Sequence, residues 1–144
     1  MAFTPDPQVL TFTPTDPTGQ TSATYVMMGL GSTVTITPNT TGRVLVICTG
    51  MMGNSGAAGD GTTIQLSQGT GSAPANNASV TGTQFGSTTK AFVASTTAGF
   101  QGFALSWLIT GLVIGTAAWI DIALKTVTGG PGSVKGCDFV LIEL

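Results

Sequence analysis

Several stretches of this 144-residue chain have the residue pattern of β-strands, and in some of them hydrophobic and polar residues alternate with a period of two. In TTIQLSQ, Ile64 and Leu66 fall on one side, and Thr63, Gln65 and Ser67 fall on the other. This alternation is typical of a half-buried β-strand. Further strand-like runs are STVTIT (32–37), RVLVICT (43–49), TTKAFVAS (88–95) and VKGCDFVLIEL (134–144).

The most apolar stretch is FALSWLITGLVIGTAAWIDIAL, residues 103–124. It is long enough to span a bilayer as a helix, and Gly111 and Gly115 have the spacing of closely packed membrane helices. However, the nearest basic residue upstream is Lys90 and the only one close downstream is Lys125, so the usual positive flanks are missing. Read with a period of two, the stretch predicts two strands, FALSWLIT and AAWIDIALKTV, joined as a β-hairpin by GLVIGT.

About eight such strands, separated by Gly- and Pro-rich turns and without a helical period, predict an all-β fold. We expect an antiparallel β-sandwich of the jelly-roll type, with a small closed barrel as the alternative. STVTIT and RVLVICT around PNTTG predict a second hairpin.

Residues 1–22 contain FTPDP and FTPTDP, whose four prolines predict an extended Pro-rich N-terminal arm outside the core. Residues 23–144 are then a single β-sandwich domain.

Three predicted strands are apolar on both faces: RVLVICT, FALSWLIT and CDFVLIEL. A strand of a two-layer sandwich needs only one apolar face, so the second face needs its own cover. Only 7% of the residues are charged, against about 25% in an average domain. Another subunit is the simplest cover, and a closed three-fold ring hides such a surface completely. The sequence therefore predicts a homo-oligomer, most simply a homotrimer.

The charge pattern gives no electrostatic footprint for a polyanion. The net charge is −2 and the four basic residues are scattered. We therefore expect neither nucleic acid nor an anionic membrane as a partner.

The residues offer little for catalysis or metal binding. There is no histidine, which removes the commonest general base and metal ligand. None of the acids pair closely, and Asp60 in GAAGDGTT has no acidic neighbour to share a Ca²⁺ ion. We expect no enzyme, no catalytic, cofactor-binding or metal-binding residues and no cofactor, and we expect the acids to face solvent or lattice contacts. The six acids are Asp6, Asp16, Asp60, Asp121, Asp138 and Glu143.

The aromatic residues and cysteines are best explained as core residues. Trp107, Trp119 and Tyr25 could form a platform for stacking sugars, but aromatics within apolar strands are usually buried. The N-terminus lacks a basic and an apolar signal region, so we expect synthesis in a cytosol. Cys48 and Cys137 are then expected to be small buried hydrophobes rather than a disulfide.

Three stretches resemble small β-modules in the virion proteins of tailed bacteriophages, which occur as free-standing decoration proteins or as ends of fibre proteins. They are TGRVLVICTGMMGN, TTIQLSQGTGSAPANNASVTGT and TGLVIGTAAWIDIALKTVTGG. The resemblance covers about residues 40–144, and GTGSAPANNASVTGT is among its most specific parts. The end of the chain, with Trp119 in one strand and DFVLIEL in the last, is similar to the trimeric tumour-necrosis-factor-like jelly rolls.

The resemblance implies a non-enzymatic structural virion protein, made in the host cytoplasm, that decorates or cements a bacteriophage capsid or forms a head fibre. Its partners would be its own copies and the major capsid protein or another virion protein. The absence of a coiled-coil or repeat shaft favours a decoration or head-fibre role over a tail fibre. The alternative is a receptor- or carbohydrate-binding module at a fibre tip, which would contact a host surface glycan; the loops 50–61 and 69–83 contain no aromatic residue to support it.

Overall fold

The computed structural model of the protein describes residues 6–92 and 99–144, which form nine β-strands and one short 3-10 helix, Leu30–Ser32. The strands are β1 (Val9–Phe12), β2 (Val26–Met27), β3 (Thr35–Ile36), β4 (Val44–Asn54), β5 (Gly61–Thr70), β6 (Thr83–Phe92), β7 (Gly99–Ile109), β8 (Ala118–Thr128) and β9 (Gly132–Glu143). The described residues contain no helix that is long and apolar enough to cross a membrane.

The strands form two antiparallel sheets that pack face to face. Sheet A has the order β1-β9-β4-β7, and sheet B has the order β2-β8-β5-β6, with β3 also paired to β8. The two short strands pair with β8 in succession, β3 with its start and β2 with its middle, so together they act as one interrupted edge strand. Counted in this way there are eight strands, and the prediction of an all-β sandwich of the jelly-roll type is confirmed.

Both predicted hairpins are wrong in their pairing, although their strands exist. FALSWLIT lies in β7 of sheet A, whereas AWIDIALKTV forms β8 of sheet B. Likewise STVTIT contributes β3 to sheet B and RVLVICT contributes β4 to sheet A. The chain crosses between the sheets at both turns, because each sheet must bury one apolar face against the other. The hairpin that does form joins β5 to β6.

The core lies between the sheets and is built from alternate residues of each strand. From sheet A it includes Val46, Phe139 and Leu141, and from sheet B it includes Ile64 and Leu66, all of them almost inaccessible to solvent. Ile64 and Leu66 lie inside, as predicted, but Thr63 and Ser67 on the other face are also buried, so the prediction of a half-buried strand is wrong. The predicted strand TTKAFVAS is described only to Phe92, and its last three residues lie outside the described part of the chain.

The described part of the Pro-rich arm lies against the sandwich. β1 pairs with β9 and forms one edge of sheet A. Leu10 and Phe12 pack against the core, and Pro14 is buried. A boundary between arm and domain at residue 22 stays a prediction.

Candidate interaction surface

The outer face of sheet B is covered by other segments of the same chain. Met27, Trp119 and Ala123 form a second apolar cluster on this face, and Ala73 and Val80 of the β5–β6 connection pack against it. Backbone hydrogen bonds hold the connection in place, including 2.9 Å from the Met27 N–H to the carbonyl of Ala78. This apolar cluster is thus covered within one chain, whereas Val127, further along β8, is 41% exposed.

Asp121 belongs to this covered face and is fully buried, which corrects the prediction that it faces solvent or a lattice contact. Its carboxylate accepts hydrogen bonds from the N–H groups of Gly29 and Leu30, each 3.0 Å, and from that of Ile122 at 2.7 Å. These bonds fix the start of the 3-10 helix against β8. Burial raises the pKa of Asp121 to about 6, although the backbone N–H groups oppose that rise.

The outer face of sheet A carries aliphatic side chains and is not covered by any described part of the chain. Registers across the four strands align Val9, Ile142, Leu45 and Leu108 in one row. These side chains are half-buried by one another, except for Val9, which is 63% exposed. We call this row, together with the next row of Thr11, Val140, Ile47 and Ser106, the outer patch.

The three strands that the sequence shows as apolar on both faces, β4, β7 and β9, all lie in sheet A. Leu45, Leu108 and Val140 point outwards on them, while Val46 and Leu141 point into the core. Val9 was not expected in the outer patch because the arm seemed separate. The alternation in VLTF, which places Leu10 inside, could have predicted the outward position of Val9.

Charged and aromatic groups flank the outer patch along the strands. In the next row Asp138 accepts a 2.6 Å hydrogen bond from the Thr13 hydroxyl and lies opposite Thr49. Further along, Lys135 places its Nζ 4.6 Å from the centre of the Phe100 ring. The aliphatic rows themselves carry no charge.

Glu143 ends β9 and is buried, which is a second correction to the expectation that the acids face outwards. Its carboxylate accepts hydrogen bonds from the backbone N–H groups of Asn39, Thr40 and Thr41, at 2.7 to 3.1 Å. Burial alone would raise the pKa of Glu143, but these donors outweigh it and lower the pKa to about 2. The loop before β4 is thereby tied to the end of the chain.

The aromatic residues considered for a sugar platform lie in two separate places. Trp119 is buried in the cluster on sheet B, and Tyr25 packs against that cluster with the Lys125 Nζ 4.8 Å from its ring centre. Trp107 lies on β7 and is 48% exposed, so the expectation that it is a core residue is wrong. The structure does not bring the three rings together.

The surroundings of the two cysteines and of Asp60 indicate structural roles for these residues. Cys48 and Cys137 are both buried and unbridged, and burial raises the pKa of Cys137 to about 12. Asp60 accepts a 2.7 Å hydrogen bond from the Ala57 N–H within its own loop. Within residues 6–92 and 99–144 no three His, Cys, Asp or Glu side chains lie close enough to hold a metal ion.

A polar cleft of about 540 Å³ lies between the β5–β6 connection and the β7–β8 loop. Hydroxyl and amide side chains line it, including Gln68, Thr70 and Ser72, and no charged residue does. Trp119 forms part of its floor, but a Cβ placed at Gly69 would overlap the indole ring, so the ring is covered by the backbone of β5. The cleft offers no exposed aromatic face of Trp119 for a ligand.

Comparisons with known proteins identify a similar fold. No family model matches the chain, and no curated protein matches it. Among solved structures, it is similar to a chain from a structure of infectious bursal disease virus, Gx strain, with a TM-score of 0.50 and 15% sequence identity. The match covers 97% of this chain and 34% of the viral chain, so this chain spans about a third of the length of the protein it matches.

Proposed function

We propose that this chain is a non-enzymatic structural protein of a virion, which assembles with copies of itself through the outer patch of sheet A. The observation that carries the proposal is the contrast between the two outer faces. On sheet B other segments of the chain cover the apolar cluster of Met27, Trp119 and Ala123, whereas on sheet A Val9 is 63% exposed and Leu45 and Ile142 are only half-buried. A contiguous apolar patch on a soluble protein is typical of an interface.

The similarity of fold to a chain from a virus structure supports the virion role, and the phage-type sequence stretches support a bacteriophage as its source. Decoration or cementing of a capsid is the specific form that we favour, with the major capsid protein as the other partner. A three-fold ring is the expected assembly, because it closes a heterologous contact completely. Covering about 1,000 Å² per subunit would contribute on the order of 25 kcal/mol before the costs of association.

Substitutions to Asp test the outer patch. We expect wild-type protein to sediment as a trimer at micromolar concentration. Leu45→Asp and Val140→Asp should give folded chains that no longer form the trimer, because each places a charge in the contact, and Ser87→Asp at an exposed position of β6 should leave the trimer intact. Leu141→Asp, at a fully buried position, should prevent folding.

Circular dichroism separates unfolding from dissociation in these variants. A wild-type chain that sediments as a monomer would overturn the assembly, and a dimer would overturn the three-fold ring. Binding to particles of a producing phage that lack the protein tests the virion role directly, and failure of the wild-type protein to bind would count against it.

A carbohydrate-binding module remains the second candidate, favoured by the uncharged cleft lined by Gln68, Thr70 and Ser72. Hydroxyl and amide groups of this kind bind neutral sugars, but the cleft lacks the exposed aromatic face that usually accompanies them. Glycan-array binding that is lost in Ser72→Tyr, which fills the cleft, would favour this candidate.

A further inference from the structure

The four edges of the two sheets differ in how they are protected against pairing with another strand. An edge strand presents unpaired N–H and C=O groups, and natural proteins protect such edges by short length, proline, charge or bulges. β1 has only four residues and lies between Pro7 and Pro14. At one edge of sheet B, β2 and β3 have two residues each and are separated by the 3-10 helix.

The other edge of sheet B is protected in a different way. β6 is ten residues long, but its register with β5 shifts between the pairs Ile64–Thr89 and Leu66–Phe85, so that β6 bulges. Gly86 lies in this bulge with a φ of 72°. The exposed Lys90 adds a charge to the same strand. Three of the four edges thus have features that discourage pairing with another strand.

β7 has none of these protective features. Its eleven residues, GFQGFALSWLI, contain no proline and no charged residue. They pair with β4 from Val44–Ile109 to Asn54–Gly99 without a register shift. Within the described part of the chain no strand lies on the other side of β7. In an antiparallel ladder, about every second residue of an edge strand directs its N–H and C=O away from the sheet.

An exposed aromatic residue lies beside this edge. Trp107 is paired with Val46, which points into the core, so its side chain enters the gap between β7 and β6 and lies against Gly86. Nevertheless it remains 48% exposed. The groove here, of about 360 Å³, is also lined by Leu66 and Leu105. A strand added beside β7 would reduce the exposure of this tryptophan.

The charge pattern identifies what could pair with the edge. Between Lys90 and Asp121 the sequence has no Asp, Glu, Lys or Arg, so nothing in β7 attracts a charged partner. A symmetric contact places equal groups close to one another, and a neutral strand can make that contact without repulsion between like charges. Pairing of β7 with β7 of a second copy would also join two copies of sheet A edge to edge and continue the row that ends at Leu108.

We propose that β7, from Phe103 to Ile109, pairs antiparallel with the same strand of a second copy of this chain, forming a two-fold contact distinct from the outer patch. The proposal goes beyond the proposed function but is consistent with it. A ring closed through one contact is finite, whereas a lattice needs a second kind of contact between its units.

Charge substitution at matched positions tests the edge. Ala104→Lys places an ammonium group on β7, and Thr49→Lys places one on the neighbouring β4, directly opposite Ala104 on the same face of sheet A. Both positions are exposed, so both variants should fold. We expect Ala104→Lys to raise the dissociation constant of the two-fold contact by about tenfold or more, because the contact must desolvate two charges. Thr49→Lys should change it much less.

Hydrogen exchange and sedimentation velocity provide the readouts. In the wild-type protein, amide exchange in residues 103–109 should slow as the protein concentration rises, and Ala104→Lys should remove both this slowing and the largest sedimenting species. Exchange that is independent of concentration while larger species form would overturn the edge contact, as would equal effects of Ala104→Lys and Thr49→Lys.

The test separates this inference from the proposed function. Loss of the trimer in Leu45→Asp with persistent slowing of exchange in residues 103–109 would support two separate contacts. A trimer that forms without any protection of β7 would overturn the edge contact and leave the outer patch as the interface. Protection of β7 that appears only when another virion protein is added would overturn self-pairing.

Discussion

At the scale of single residues, two acids show how the position of a carboxylate in the fold determines its burial and its contribution to stability. Asp121 and Asp138 both alternate with apolar residues in a strand, yet the first is fully buried and the second is exposed. The difference comes from Gly29, whose N–H reaches Asp121 from 92 positions away in the sequence. A buried carboxylate that receives several backbone donors holds two segments together, whereas an exposed one makes a weak contribution.

Asp121 predicts a specific dependence of stability on pH. Its pKa in the folded protein is about 6, above the ordinary value of 3.8, so the folded state binds a proton that the unfolded chain has released. The stability that this provides is complete below the ordinary pKa and is lost as the pH rises through the folded pKa. Relative to Asp121→Asn, the wild-type free energy of unfolding should fall by on the order of 1–3 kcal/mol between about pH 4 and pH 7.

Urea unfolding of both proteins across this range measures the effect, with Asp138→Asn as the matched exposed control. Parallel curves for wild type and Asp121→Asn would contradict the prediction.

Glu143 changes the stability with the opposite sign and mostly at lower pH, because its folded pKa of about 2 lies below the ordinary 4.5. The stability it provides is lost as the pH falls from its ordinary pKa towards the folded one. The comparison above about pH 4.5 therefore reports mainly on Asp121.

At the scale of elements, the N-terminal segment shows that proline content does not decide whether a segment packs. The prolines of FTPDP and FTPTDP flank β1 rather than interrupt it, so Val9–Phe12 can still pair with β9. Hydrogen bonds continue this attachment, from the Glu143 N–H to the carbonyl of Gln8 and from the Gln20 N–H to that of Gly132. The sequence alone suggests a chain that folds without residues 2–20, but Val9–Phe12 form part of sheet A and hydrogen bonds attach Gln8 and Gln20 to the sandwich.

Truncation measures the contribution of this edge strand. We expect deletion of residues 2–20 to lower the free energy of unfolding, because it uncovers β9 and part of the core. Leu10→Ala and Phe12→Ala, each at a half-buried position, should each cost about 1–2 kcal/mol. Thr11→Ala, exposed on the same strand, is the control. A truncated chain with unchanged stability would show that the segment is a separate arm.

At the scale of the whole molecule, the two sheets have different outer environments. The long connection between β5 and β6 closes sheet B, so that Trp119 and Met27 are buried within one chain. Within residues 6–92 and 99–144 no such connection covers sheet A, whose strands β4, β7 and β9 are each joined to strands of the opposite sheet. Under the proposed function, this difference gives the molecule one side for assembly.

The composition of this face predicts how the assembly responds to solution conditions. Because the outer patch carries no charge, the dissociation constant of the assembly should change less than about threefold between low and high salt. Association should also show a negative heat-capacity change, as burial of apolar surface does. Sedimentation equilibrium and dilution calorimetry measure the two quantities. Steep weakening by salt would instead indicate a contact through Asp138 and Lys135.

The sequence by itself determined the local properties of the chain. Patterns of neighbouring residues correctly indicated strands, by alternation at TTIQLSQ and by a short apolar run at RVLVICT, as well as within residues 103–124, and hence an all-β sandwich. Apolarity on both faces of β4, β7 and β9 was likewise visible in the sequence. Burial of Cys48 and Cys137 followed from their positions in apolar strands.

Only the tertiary structure decided which strands pair and which faces are covered. A turn such as GLVIGT reverses the chain equally well within a sheet or between sheets, so the choice depends on how both sheets bury their apolar faces together. The cover of sheet B comes from a polar, turn-rich connection whose packing against Trp119 leaves no periodic signal. The buried state of Asp121 and the unprotected edge at β7 depend on partners far away in the sequence, because both are defined by what lies beside them in space.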